Sequence, residues 1–241
     1  MRRRHSLAVD LGSARTRVWT PAGRLVVDTR TRRGLVSRGK VLDPDGLRTL
    51  VGAAVAGPVR RPRVLDAATA VVTTPVLCDD AHRDDVHAVL HGLGMTTVVM
   101  IDAVKAAAFG AGADLTEPLL VIDLGAQLTE VALLGGGAVV EARRTEFGLE
   151  DVRTVSPIVE VVGDWVLDLL RGPHGPQVVD ALDRGVLLVG GGALRPEITY
   201  KLGDRLGAPV CPAPAPHTAA VRGAATALES TCRHPSSPTA P

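Results

Sequence analysis

Aromatic residues are scarce in this sequence, at 2% of 241 residues, and neither sign of charge dominates it. Proteins that bind single-stranded nucleic acid stack bases on aromatic side chains, and DNA-binding domains carry a strongly basic face. Here 27 basic residues stand against 26 acidic ones, which leaves a formal net charge of +1. The composition therefore argues against nucleic acid as a partner and predicts a core of Val, Leu and Ala.

Cysteine is also scarce, since Cys78, Cys211 and Cys232 are odd in number and have no C-x-x-C spacing. This pattern argues against both a disulfide framework and a structural zinc site, and it fits a reducing cytoplasm.

Long hydrophobic runs are missing as well. The apolar stretch Leu7–Val9 is too short for a signal-peptide core, and Asp102 and Lys105 interrupt the best candidate for the roughly 20 apolar residues of a spanning helix. We therefore expect a cytoplasmic protein whose membrane contact is at most peripheral, at the inner face. Four short arginine clusters are interpreted as solvated surface, with a lipid headgroup or acidic partner surface as the alternative: Arg2–Arg4, Arg30–Arg33, Arg60–Arg63 and Arg143–Arg144.

Glycine, in contrast, recurs in three turns at Asp10–Arg15, Asp123–Gln127 and Gly190–Ala193. The first two turns follow the short β-prone runs Leu7–Val9 and Leu119–Ile122. Successive backbone N–H groups in such turns converge into anion-binding nests. An aspartate at the strand end can hold a cation through water, so Asp10 and Asp123 are predicted to hold Mg²⁺ beside a phosphate.

The order of predicted elements repeats along the chain: a strand, a glycine turn and a hairpin, followed by helices. This repeat predicts two similar α/β lobes with a ligand cleft between them. Apolar spacing and caps predict helices at Pro44–Ala56 behind the N-cap Asp43, Asp79–Leu93, Ala103–Ala111, Pro157–Leu170, Val178–Asp183, Pro196–Leu206 and His217–Glu229, with a disordered tail from His234.

Several segments together resemble the actin, sugar-kinase and chaperone ATPase superfamily, and more narrowly the MreB-like bacterial actins. Asp10–Thr16 resembles the first phosphate turn D-L-G-T-A-N-T, and Leu119–Leu133 resembles the second, D-I-G-G-G-T-T-E-V-A-V. Val189–Leu194 resembles the adenosine-side turn T-G-G-G-A-L. Val71–Pro75 and Ile101–Gly112 resemble the strand and linking helix between them.

The resemblance implies an actin-like ATPase fold, which is a ribonuclease H-like duplicated core with two lobes around a nucleotide cleft. Residues 1–110 are expected to form the first lobe, 111–232 the second lobe with the C-terminal helix, and 233–241 a disordered tail. The outer subdomain of the first lobe is expected to be reduced around residues 29–45. That of the second lobe is expected to be missing around residues 148–157.

The resemblance also implies a set of site residues for ATP and Mg²⁺, at low affinity. Thr129 and Glu130 are expected to contact phosphate or water, and no catalytic residue is assigned. The expected nucleotide-binding residues are Gly12, Ser13, Ala14, Arg15, Gly125, Ala126, Gln127, Gly190, Gly191, Gly192 and Ala193, with Asp10 and Asp123 holding the metal through water.

Two departures from the family pattern predict a weakened site. Ala126 and Gln127 replace glycines, so a left-handed backbone there would cost about 1–2 kcal/mol, and Gln127 is expected to crowd the phosphates. Ala103 stands where relatives carry the glutamate that orients the attacking water, and losing a positioned base slows catalysis by about 10²–10⁴. Asp102 is a poor replacement at roughly 100° around the helix, and Glu130 is the other candidate.

The resulting prediction is a reduced MreB-like protein with vestigial ATP binding that acts by association. Its expected partners are a full-length MreB-type actin, the cell-wall synthesis machinery or a second copy of itself. Two alternatives stay open: a small-molecule kinase similar to type III pantothenate kinases, and a nucleotide-free scaffold. His217 is interpreted as a helix cap.

Overall fold

The computed structural model describes residues 6–21, 26–56 and 68–233. The arginine clusters at residues 2–4 and 60–63 and the tail from residue 234 lie outside the described residues.

The first sheet has the strand order β3-β2-β1-β6-β7. Strands β1 to β3 form an antiparallel meander, and β6 and β7 continue the sheet in parallel with β1. Its strands are β1 (Leu7–Leu11), β2 (Arg15–Trp19), β3 (Val26–Arg30), β6 (Thr69–Thr74) and β7 (Thr97–Asp102).

One face of this sheet is covered by helices α1 (Pro44–Ala56) and α2 (Asp80–His91), whose apolar sides form a core with Leu7 and Val9 of β1. Helix α1 begins as the sequence predicts, because the Asp43 carboxylate accepts a hydrogen bond from the Gly46 amide at 2.8 Å.

The second sheet repeats this arrangement in the strand order β10-β9-β8-β11-β12. It consists of β8 (Leu119–Leu124), β9 (Thr129–Gly135), β10 (Ala138–Thr145), β11 (Val186–Val189) and β12 (Val210–Pro212). Helices α4 (Ser156–Arg171), α5 (Gly175–Arg184) and α6 (Pro196–Leu206) cover one face around Leu120, Ile122 and Leu124. Two sheets with the same order of antiparallel and parallel strands confirm the predicted duplicated core.

The remaining helices, α3 (Ala103–Ala111) and α7 (Ala219–Arg233), cross each other between the lobes. Val104, Ala107 and Ala108 of α3 belong to the core on the inner face of the second sheet. Val221, Ala224 and Leu228 of α7 pack instead with Ala8, Trp19 and Val71 of the first sheet. Each lobe thus completes its core with a helix from the other half of the chain, whereas the expected boundary near residue 110 assigns α3 to the first lobe and α7 to the second.

The crossing of α3 and α7 depends on two glycines. A methyl group at Gly110 would overlap the Ala219 carbonyl, and one at Gly223 would overlap the Ala106 carbonyl. The two backbones are therefore in direct contact, which glycine alone permits.

In the described residues, the outer insertion of the first lobe is reduced to one two-stranded hairpin, and that of the second lobe contains no strand or helix. Five residues, 31–35, separate β3 from the short hairpin of β4 (Val36–Ser37) and β5 (Lys40–Val41), where the sequence predicted a loop. Between β10 and α4 lie residues 146–155 alone.

Two further boundaries differ from the sequence prediction. Helix α5 begins at Gly175 instead of the expected Val178, because Pro176 is tolerated in the first turn of a helix. A 3₁₀ turn at Pro216–Thr218 precedes α7, so His217 is not in the final helix. No helix among the described residues is both long and apolar enough to cross a membrane.

Candidate functional site

A cavity of about 310 Å³ lies between the two sheets, at the carboxyl ends of β1, β8 and β11. All three glycine turns reach it, which is the arrangement that the sequence predicted for a ligand cleft. Of the expected site residues, the structure brings Asp10, Gly12, Ser13, Ala14, Arg15, Asp123, Gly125, Ala126, Glu130, Gly190 and Gly191 to its lining.

Asp10 is fixed at the floor of the cavity by its two neighbouring strands. Residue pairing places Asp10 opposite Arg17 in β2 and opposite Thr73 in β6. The Thr73 hydroxyl donates to Asp10 Oδ1 at 2.8 Å, and Arg17 Nη1 donates to Asp10 Oδ2 at 3.1 Å. Both carboxylate oxygens of Asp10 are thus engaged by the protein itself.

Arg17 is held from its other side by Asp28 on β3, whose Oδ2 lies 3.3 Å from Arg17 Nε. Asp28 Oδ1 also accepts a hydrogen bond from Arg15 Nε at 2.8 Å. Burial alone would raise the pKa of Asp28, but the hydrogen bond from Arg15 and the charge of Arg17 outweigh burial and lower it. Asp28 therefore stays ionised and anchors both arginines beside the first turn.

Two further carboxyl groups, Asp123 and Glu130, lie in the floor on the side of the second lobe. Desolvation, reinforced by the negative charge of Asp10, raises the pKa of Asp123 to about 7. Desolvation and the neighbouring Asp123 raise the pKa of Glu130 to about 8, although Glu130 Oε1 accepts a 2.7 Å hydrogen bond from the Val76 amide. Glu130 is therefore mostly protonated at neutral pH and suits the role of hydrogen-bond donor better than that of base.

Helix α3 presents only methyl groups to the cavity, from Ala103 and Ala107. Asp102, which precedes the helix, is not part of the cavity lining, so it does not replace a base at position 103. The pKa of Asp102 is raised, because burial outweighs the charges of Arg83 and Lys105.

The second turn differs from the sequence expectation in its backbone and in the direction of Gln127. Positive φ values outside glycine occur, within the described residues, at Arg38, Leu77 and Ala215, so Ala126 and Gln127 carry no left-handed strain. The expected penalty at this turn is therefore wrong.

The Gln127 side chain leaves the cavity and bridges the two lobes. Its Oε1 accepts hydrogen bonds from the Ser37 hydroxyl at 3.1 Å and from the Arg38 amide at 3.2 Å. Its Nε2 donates to Glu150 Oε2 at 3.1 Å. Gln127 does not project toward the place of a phosphate, which corrects its expected role.

Arg38 extends this bridge. Arg38 Nη2 lies 2.7 Å from Asp151 Oδ1, and its guanidinium also contacts the Glu146 carbonyl. We call this set the clasp; it comprises Ser37, Arg38, Gln127, Glu150 and Asp151 and joins the β4–β5 hairpin of the first lobe to residues 146–151 of the second. The clasp closes one side of the cleft, since Gly39 and Glu150 are also part of the cavity lining.

The third turn contributes fewer cavity residues than the sequence suggested. Gly190 has φ +82°, and a methyl group there would overlap Asp123 and the Leu124 carbonyl, so glycine is required. Gly192 packs against Leu124, and Ala193 belongs to the second-lobe core, so neither lines the cavity.

Thr129 is also directed elsewhere, because its hydroxyl donates to the Phe147 carbonyl at 2.8 Å. It is buried outside the cavity lining.

Several lining residues were missed by sequence reasoning: Arg17, Thr73, Arg195, Pro216 and His217. Arg17 could have been found by aligning β1 against β2 as a hairpin, since that pairing sets it opposite Asp10. Sequence gave no comparable signal for Thr73 or His217, whose positions depend on strand pairing across the sheet and on the path before α7.

The arranged carboxylates do not fit a divalent cation held by side chains. Both oxygens of Asp10 already accept hydrogen bonds, one of them from a guanidinium. Within the described part of the chain, no group of three or more His, Cys, Asp or Glu side chains is placed to hold a metal ion. Direct coordination by these side chains is therefore disfavoured, whereas the expected site, in which Asp10 and Asp123 hold Mg²⁺ through water, stays a prediction.

Comparison with known proteins agrees with this architecture. Residues 36–154 match the model of the MreB/Mbl protein family. The crystal structure of MreB5 of Spiroplasma citri bound to AMPPNP is similar with a TM-score of 0.81 at 16% identity, over 95% of this chain and 97% of that one. No curated protein matches the sequence.

Two other solved structures have the same fold. The MamK double helical filament is similar with a TM-score of 0.69 at 15% identity, over 94% of this chain and 99% of that one. The ethanolamine utilization protein EutJ from Carboxydothermus hydrogenoformans has a TM-score of 0.68 at 20% identity, over 93% and 90%.

The duplicated sheets, the interlobe cleft and these neighbours define a protein of the actin-like ATPase fold. Within that fold, residues 36–154 resemble the MreB/Mbl family, so the chain is MreB-like in its architecture.

Proposed function

We propose that this protein binds an adenine nucleotide in the interlobe cavity. The observation that carries the proposal is the convergence of Gly12, Gly125 and Gly190 turns on one cavity of about 310 Å³, within the range of small-molecule sites. The MreB5 relative was crystallised with AMPPNP and with ADP, which supports the same ligand class here.

Hydrolysis of that nucleotide is expected to be slow or absent. Ala103 offers no acceptor for a proton, and the raised pKa of Glu130, about 8, keeps that carboxyl protonated at neutral pH. Losing a positioned base costs about 10²–10⁴ in rate. The same lack of a base disfavours the kinase alternative.

Association is the proposed output of the protein. The MreB/Mbl match and the filament formed by MamK support self-association or assembly with a full-length MreB-type actin. We propose a cytoskeletal role in cell shape or with the cell-wall synthesis machinery, in the cytoplasm or at the inner face of the membrane.

Isothermal titration calorimetry with ATP and ADP tests the nucleotide proposal. A Cβ at Gly12 would lie 2.7 Å from the Arg15 carbonyl oxygen, so Gly12→Ala distorts the first turn, and we expect at least about tenfold weaker binding. Gly203→Ala is the matched control, because its Cβ would meet nothing closer than 3.5 Å and Gly203 lies on α6 away from the cavity.

Wild-type and Gly203→Ala proteins are expected to bind alike. Absence of nucleotide binding by the wild-type protein would contradict the proposal and support the nucleotide-free scaffold.

A further inference from the structure

Arg17 is held at the floor of the cleft by its place in β2. Antiparallel pairing sets it directly opposite Asp10, and Nη1 lies 3.1 Å from Asp10 Oδ2. Its side chain is 13% exposed and lines the same cavity as the glycine turns. A guanidinium is thus built into the position next to the strand-end carboxylate.

A divalent cation drawn to Asp10 would lie beside this guanidinium. Like charges at such short range repel strongly where water is scarce. Displacing the guanidinium is also unfavourable, because Asp28 holds Arg17 from the opposite side with 3.3 Å between Oδ2 and Nε. The strand pairing that places Arg17 therefore excludes a metal from the position where the fold would otherwise hold one.

We infer that Arg17 supplies the positive charge that a divalent cation would otherwise bring to a phosphorylated ligand, so that the cleft binds a nucleoside diphosphate or triphosphate without metal. The inference rests on the proposed nucleotide binding and names the charged group that this binding uses.

The chemistry of arginine suits this role. Its planar guanidinium pairs with two phosphate oxygens at once and keeps its charge at every physiological pH. A guanidinium carries five N–H donors, and the contacts to Asp10 and Asp28 engage Nη1 and Nε, so further donors remain for a phosphate.

The remaining floor of the cavity makes this charge necessary. Asp10 and Asp123 bring negative charge to this floor, and a phosphate placed beside them without a cation would be repelled. Removal of Arg17 should therefore leave a site that binds phosphate only when a metal ion is added.

The test is calorimetry with ADP and with ATP, each in EDTA and in MgCl₂. Wild-type protein is expected to bind with affinities in the two buffers that agree within about threefold. Arg17→Leu is expected to lose at least about tenfold in EDTA and to regain affinity in MgCl₂, because the freed Asp10 carboxylate can then hold a metal. A misfolded variant would lose binding in both buffers, so recovery of binding in MgCl₂ distinguishes loss of the guanidinium from loss of the fold.

Two variants complete the experiment. Arg17→Lys keeps a positive charge and should retain binding in EDTA within about tenfold of wild type. Arg143→Leu is the matched control: Arg143 is also a strand arginine paired with a carboxylate, Glu141 at 2.9 Å, but it lies on β10 outside the cavity lining, and its loss should change nothing.

Each alternative result has a defined meaning. Wild-type binding that requires MgCl₂ would overturn the inference and leave the proposed function intact, whereas binding in neither buffer would overturn both. The inference would also be overturned if Arg17→Leu bound nucleotide in EDTA as tightly as wild type. It would be overturned as well if Arg17→Leu and Arg17→Lys both failed to bind in either buffer, since the guanidinium would then have a structural role.

Discussion

The first and second glycine turns occupy equivalent places in the two lobes, at the ends of β1 and β8, yet their side chains serve different contacts. Around the first turn, charged groups converge on the cavity, where Arg17 bonds Asp10 and is anchored by Asp28. At the second turn, Gln127 leaves the cavity and joins the lobes through Ser37 and Glu150. The comparison shows that charged side chains around the first turn face the cavity, whereas Gln127 of the second turn bridges the lobes.

The largest expected effect on stability comes from disrupting the crossing of α3 and α7, where the two lobes are joined. Gly223→Val would force side-chain atoms into the Ala106 carbonyl at the α3–α7 crossing, so the free energy of unfolding should fall by about 3 kcal/mol or more. Urea denaturation measures this, with Gly203→Ala as a control expected to change stability by less than about 1 kcal/mol. A loss below about 1 kcal/mol for Gly223→Val would show that the helices can separate freely and that the lobes are less dependent on each other.

The next prediction concerns the raised pKa values of the two carboxyl groups beside the second turn and their effect on stability. Glu130 and Asp123 have folded-state pKa values raised to about 8 and about 7, from ordinary values of 4.5 and 3.8. Between the ordinary and the raised pKa values, the folded protein keeps protons on both carboxyl groups that the unfolded chain has released. The free energy of unfolding is therefore largest at the acidic end of this pH range and decreases as pH rises toward 8.

Glu130→Gln should remove part of this slope. We expect it to raise the free energy of unfolding at pH 8.5, relative to wild type, by about 1–2 kcal/mol, with little change at pH 5.5. Urea titrations at several pH values measure it, and the exposed Glu197→Gln should follow the wild-type slope. An unchanged slope in Glu130→Gln would mean that Glu130 titrates in its ordinary range.

The smallest effect is expected when the two glycines of the family pattern are restored in the second turn. Ala126→Gly together with Gln127→Gly restores the glycines of the family pattern, but neither position has positive φ and the bridge from Gln127 would be lost. We expect stability to fall by about 1–2 kcal/mol and nucleotide affinity to rise by less than about threefold. A gain in affinity of tenfold or more would show that the lost glycines, and not the cleft carboxylates, limit binding.

Sequence patterns predicted what depends on local chemistry and on order along the chain. The Asp10 and Asp123 turns, the Asp43 cap of α1 and both strand-turn-hairpin repeats were readable because their signals lie within a few residues. The position of Gln127 was not, since hydrogen-bond partners 90 residues apart, as in Ser37 and Gln127, leave no trace in spacing. Arg17 is close to Asp10 in sequence, but its place beside Asp10 becomes visible only when β1 is paired with β2.

The exchange of α3 and α7 between lobes was missed for a related reason. Both helices are rich in alanine, and a pattern of small apolar side chains does not indicate which of the two sheets each helix covers. The close contact of the two helices at Gly110 and Gly223 is likewise a property of two backbones that only the folded chain reveals.

Helix α7 has a consequence for how the protein is made. It is the last described helix of the chain, yet Val221, Ala224 and Leu228 cover the face of the first sheet that contains Ala8 and Trp19. During translation this apolar face remains open until α7 itself has left the ribosome. The first lobe is therefore synthesised early and completed late, an interval in which nascent chains depend on chaperones and are prone to aggregate.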